Sequence, residues 1–142
     1  MSDPFFLSRF TTAQDRVYAR VLDELSRGKK KTHWMWFIFP QLTGLGVSDM
    51  AQYYGIASLE ETRAYWANDL LRPRLIQCTR LVVDRPNPNP DYIFGHPDNL
   101  KFHSCMTLFA LAIPNEPTFR LTLQKCFRGR KDDETIELLL VK

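Results

Sequence analysis

"DNLKFHSCMTLFALAI", residues 98–113, decides the fold of this chain. It follows Pro97, placed where a helix begins, and runs without interruption to Pro114. Phe102, Met106, Phe109 and Ile113 recur at i, i+4, i+7 and i+11, the spacing of one helical face. Beyond Thr107 apolar residues spread to every side, which is the pattern of a helix enclosed by others. A central helix of this kind calls for a shell of further helices.

The flanking sequence supplies them. Thr11 and Thr12 stand before Gln14 and Asp15 at capping-box spacing, and Val17, Val21, Leu22 and Leu25 follow at helical intervals until Gly28. Ser48 heads "DMAQYYGI", and "SLEE" (58–61) is a second capping box opening "TRAYWAN". Pro73 lies in the first turn of a longer helix with Leu71, Leu75, Cys78 and Val82 on one face. "DRPNPNPDY" (84–92) carries three alternating prolines that forbid helix and central strand, yet it is too short to separate a pair of domains. "PTFRLTLQKCF" (117–127) reads as another helix, and "RGRKDDETIELLLVK" as a basic turn, an acidic cap and a last helix. The final apolar residues are dense enough to admit a strand there instead. No β-hairpin signal recurs. The expectation is an all-α protein, one globular domain over residues 1–142, folded as an orthogonal bundle of about six or seven helices.

Composition narrows the function classes. A chain of 142 residues, 44% hydrophobic and 25% charged, is ordinary for a globular domain, while 13% aromatic content points to a core rich in rings. The net charge of +3 is mild. "GKKK" (28–31) is read as positive charge suited to the carbonyl end of a helix, and "RGRK" (128–131) runs directly into "DDE". Nucleic acid is therefore a disfavoured partner. Cys78, Cys105 and Cys126 form no CxxC pair and read as small buried hydrophobes. His33, His96 and His103 show no metal-ligand spacing, so no metal is expected and no cofactor is indicated. No segment has the length and apolarity of a membrane span or leader, and a reducing cytoplasm is the expectation. Oligomeric state is left open.

Candidate chemistry gathers on the first half of the 98–113 helix. Asp98, Lys101 and Ser104 stand at three-residue steps and share one side. Two readings compete: a surface pair of Lys101 with Asp98, or a polar pocket whose floor is the helix N-terminus, where free N–H groups favour an anion. "GLGVS" (44–48) lacks the third glycine of a dinucleotide fingerprint and the lysine of a P-loop, so it reads as a turn and an N-cap. No Ser/His/Asp order and no paired carboxylates stand out.

Five blocks, "RFTTAQ", "THWMWFIFPQLTGLG", "SLEETRAYWANDLLRPRL", "NLKFHSCMTLF" and "CFRGRKDDETIELLL", resemble in order those of an uncharacterised bacterial and fungal family with a domain-of-unknown-function label. Its members often carry the name calpastatin. The resemblance covers nearly the whole chain and implies an all-α single domain. Protease inhibition conflicts with the composition, because calpastatin acts through long disordered repeats and this chain is patterned for a core. Where the family has paired serines before "MTLF", this chain has Ser104 and Cys105, which leaves Ser104 to carry any hydroxyl role.

Read onto this chain, the family's blocks include polar groups that packing does not require: His33, Gln41, Lys101, Ser104, Asp132 and Thr135. They are interleaved with Trp34, Trp36 and Tyr54. Aromatic walls with a few converging polar groups describe a small-molecule pocket, and a lysine suits phosphate or carboxylate. Phe37, Ile38 and Phe39 are expected in the core, with His33, Trp34, Trp36 and Gln41 facing a cavity. The function expected is binding of a small nucleotide-like or other anionic metabolite, with catalysis left open. The alternative is a protein-interaction module using exposed aromatics.

Overall fold

A computed structural model describes residues 2–141. Among the described residues nine helices follow in order: α1 Ser8–Ser26, α2 Met35–Ile38, α3 Asp49–Tyr54, α4 Leu59–Ala67, α5 Leu71–Val83, α6 Pro90–Phe94, α7 Asp98–Ala112, α8 Pro117–Phe127 and α9 Asp133–Leu140. The fold is all-α. The expected count of six or seven falls short because the four-residue α2 is too brief to show a helical period and α6 begins at Pro90, inside the stretch read as forbidding helix, where proline suits a first turn. The segment that could have ended as a strand is α9. None of the helices is long and apolar enough to cross a membrane.

Local signals explain most boundaries. Ser48 and Ser58 accept the N–H groups of Ala51 and Glu61, each at 3.1 Å, as N-caps should. Gly28 ends α1 in a left-handed conformation (φ 76°), with its N–H on Leu25 and that of Lys29 on Glu24, the two bonds of a Schellman motif. A Cβ at Gly28 would displace the Arg85 guanidinium, 2.5 Å away, and would be strained by the positive φ. The start of α1 departs from expectation: it lies at Ser8, not after Thr11 and Thr12. Asp3 caps it, accepting from the N–H groups of Leu7 at 2.7 Å and Ser8 at 3.1 Å.

Helix α7 is the axis of the molecule, packed by α2, α4, α6, α8 and α9, while α1 lies against α2 and α5. Phe102, Met106 and Phe109 are fully buried, and Ile113 at the helix end is half-buried. Phe39 meets Phe102 edge-on at 5.0 Å, and Phe109 meets Tyr65 and Phe119. Most polar groups enclosed by these helices have partners, the buried Thr79 hydroxyl being an exception. The Thr62, Thr107 and Thr122 hydroxyls turn back onto the carbonyls four residues earlier. The buried Arg9–Glu61 pair, 2.8 Å apart, ties α1 to α4. One isolated parallel bridge, Leu42 with Ile56, fastens the chain after α2 to the α3–α4 connection and so fixes Gln41.

Candidate functional site

Asp98, Lys101 and Ser104 climb one side of α7 in successive turns. The Lys101 ammonium rests 5.0 Å from the centre of the Trp36 ring and 3.3 Å from Asp98 Oδ1. Asp98 Oδ2 makes a closer ion pair, 2.8 Å from the buried Lys30 ammonium. Two ammonium groups thus share one carboxylate and leave one positive charge. The helix N-terminus does not join them. The N–H groups of Asn99, Leu100 and Lys101 already donate to the Gly95 and Pro97 carbonyls, and Asp98 adds negative charge in that turn. The expected anion floor of free N–H groups is corrected accordingly: Lys101 is the cation there, without help from the backbone.

A second polar cluster sits where α9 begins. Asp132 Oδ2 accepts from the Thr135 hydroxyl at 2.6 Å and the Thr135 N–H at 3.1 Å. The Ser104 hydroxyl lies 3.0 Å from both that oxygen and the Leu100 carbonyl, with one proton to share. The Asp132 N–H donates to the Thr107 hydroxyl at 2.9 Å. These bonds cap α9 and lock it across α7.

Between the clusters runs a cleft of about 220 Å³. Gln41, Leu45 and Gly46 border it from the chain after α2, Lys101 and Ser104 from α7, and Asp132 and Glu134 from the start of α9. Under Lys101 it adjoins a recess lined by Trp36, Gln41, Tyr54 and Lys101. That recess holds only about 10 Å³, near the lower limit for one water molecule. Gln41 and Lys101 belong to both spaces. Cationic and anionic groups are separated along the cleft, with Lys101 at the aromatic end and the two carboxylates at the other.

Residues 4–139 match the family described as "Protein of unknown function (DUF1810)". The chain belongs to the DUF1810 family. The conserved hypothetical protein Rv1873 from Mycobacterium tuberculosis, known from a crystal structure, is similar at 51% identity with a TM-score of 0.95. The match covers 99% of this chain and 100% of that one. No curated protein matches the chain.

In this DUF1810 chain the structure brings Trp36, Gln41, Tyr54, Lys101, Ser104 and Asp132 to the two joined spaces. Three of the other expected site residues fall elsewhere. Trp34 is a correction: it is 1% exposed in the core, and its indole N–H donates to Glu24 at 3.0 Å. His33 is exposed and borders neither space. Thr135 is buried behind Asp132 and acts on the cleft only by holding that carboxylate. Leu45, Gly46 and Glu134 also border the cleft, beyond the residues expected from sequence; Glu134, two residues past Asp132 in the same acidic cap, carried the one readable signal. The "GKKK" run also differs from its reading as helix-end charge, since Lys29 donates to the Tyr92 carbonyl and Lys30 is spent on Asp98. Among the described residues no group of three His, Cys, Asp or Glu side chains stands close enough to hold a metal ion.

Proposed function

We propose that this DUF1810 chain is a single-domain, cytoplasmic small-ligand-binding protein whose ligand occupies the Lys101 cleft and is a nucleotide-like or other anionic metabolite. The observation that carries this is the incomplete pairing of Lys101. Among the described residues its one carboxylate partner, Asp98, is shared with Lys30, which holds it more closely, so an incoming anion competes with a weak partner. Asp132 and Glu134 at the other end accept hydrogen bonds from hydroxyl or amino groups, which a sugar supplies. Lys101 also covers the face of Trp36. An anion that draws the ammonium outward frees that face, and a flat ring can then stack on it. Three free cysteines accord with a reducing compartment.

The test is a thermal-shift screen of nucleotides, phosphosugars and dinucleotides, followed by calorimetric titration of the best binder against wild type and Lys101→Met. Selective binders raise the melting temperature by mass action. Lys101→Met keeps the apolar stem and should leave folding nearly intact, while affinity falls at least about tenfold with the loss of a charged hydrogen bond. Equal affinity in the two proteins removes Lys101 from the site.

A further inference from the structure

A second hollow, of about 240 Å³, lies between α1 and α3. Arg9, Thr12 and Arg16 line it from α1, Tyr53 and Tyr54 from α3, and Phe6 from the segment before α1. Lys101 does not border it. Arg9 is neutralised by Glu61, and the nearby Asp3 carboxylate is engaged in capping α1. Arg16 is different. Arg16, Thr12 and Tyr53 are exposed and Tyr54 is half-buried, and among the described residues no protein group pairs with the Arg16 guanidinium or with the Thr12, Tyr53 and Tyr54 hydroxyls. Burial pushes the Tyr54 phenol above its ordinary value.

The rim is aromatic. Phe6 and Tyr53 meet edge-on at 6.0 Å, and each is 51% exposed. Phe6 is displayed at φ 52°, a left-handed conformation that a bulky residue adopts only at a cost of about 1–3 kcal/mol. An exposed ring held at such cost, beside an unpaired guanidinium and several free hydroxyls, fits a ligand with a flat stem and an anionic head. A guanidinium and separate hydroxyl donors match the several oxygens of a phosphoryl group better than the two of a carboxylate. At about 240 Å³ the hollow has room for a head group and its ring.

We propose that this hollow binds an aryl phosphate, a phosphorylated aromatic ring borne either by a partner's tyrosine side chain or by a free metabolite. The phosphoryl oxygens meet Arg16, Thr12 and Tyr54, and the ring lies against Phe6 and Tyr53. The hollow shares Tyr54 with the recess under Lys101, but Arg16, Thr12, Phe6 and Tyr53 border it alone. Calorimetric titration with phenyl phosphate, inorganic phosphate, tyrosine and a phosphotyrosine pentapeptide tests it on wild type, Arg16→Gln and Lys101→Met. Phenyl phosphate should bind at least about tenfold more tightly than inorganic phosphate or tyrosine, and Arg16→Gln should lose at least about tenfold with the circular dichroism unchanged. Lys101→Met should keep the binding that Arg16→Gln removes. A pentapeptide tighter than phenyl phosphate assigns the ring to a protein partner; equal or weaker binding assigns it to a free metabolite. Failure to prefer phenyl phosphate over inorganic phosphate, or full affinity in Arg16→Gln, overturns the proposal.

Discussion

Glu24→Gln should destabilise the protein in a way that depends on pH. Glu24 is 5% exposed at the end of α1. Its Oε1 accepts from the N–H groups of Lys31 at 2.6 Å and Thr32 at 2.9 Å and from the Trp34 indole at 3.0 Å. Its Oε2 accepts from the Thr32 hydroxyl at 2.6 Å. Burial pushes the carboxyl upward, but these donors outweigh it and hold the pKa at about 2 against an ordinary 4.5. That fall corresponds to about 3 kcal/mol of stability at neutral pH. Because the folded value is the lower one, the contribution is complete above the unfolded value near 4.5. It drains away as pH falls through about 2. Gln keeps the shape and loses the charge. Urea denaturation at pH 7 should place Glu24→Gln about 2–3 kcal/mol below wild type, and at pH 3 that gap should shrink by about 2 kcal/mol. A gap below about 1 kcal/mol at pH 7, or one that is the same at both pH values, refutes the assignment of the stabilisation to the charged, fourfold-bonded carboxylate.

Two further outcomes follow from the packing and the charge. Phe109→Ala empties the fully buried space between Tyr65 and Phe119 and should cost about 3–5 kcal/mol in chemical denaturation; a loss under about 1 kcal/mol would mean the ring is not enclosed. Short DNA or RNA should bind weakly and fade with added salt in a fluorescence titration, because Lys29 and Lys30 are tied to Tyr92 and Asp98; tight sequence-selective binding near 150 mM salt would contradict this.

The candidate cleft was only partly legible in the sequence. Asp98, Lys101 and Ser104 share a side of α7 because three-residue steps keep them on one helical face, and sequence spacing alone places them there. The two competing readings of Lys101 prove compatible: it does pair with Asp98, and it does border a cleft. What spacing could not reveal is Lys30, far away in the chain, whose closer hold on Asp98 leaves Lys101 under-paired. Trp34 and Trp36 were indistinguishable two residues apart. Trp34 stands just before α2 with a non-helical backbone and Trp36 within it, and the Glu24 carboxylate holds the Trp34 indole in the core. The Arg16 hollow was invisible as well, since α1 and α3 are separate stretches that only packing brings together.

By itself, then, the sequence determined most of the helices: serine caps at 48 and 58, the glycine at 28, prolines at 73, 97 and 117, and the apolar stripe of α7 are local signals, set by backbone sterics and short-range hydrogen bonds. Tertiary structure decided which polar groups meet. Ser104 with Asp132, Lys30 with Asp98 and Arg9 with Glu61 are joined across 28, 68 and 52 positions. Such partners are chosen by how helices cross and what each crossing removes from water, and a buried charge or hydroxyl takes whichever partner the crossing delivers.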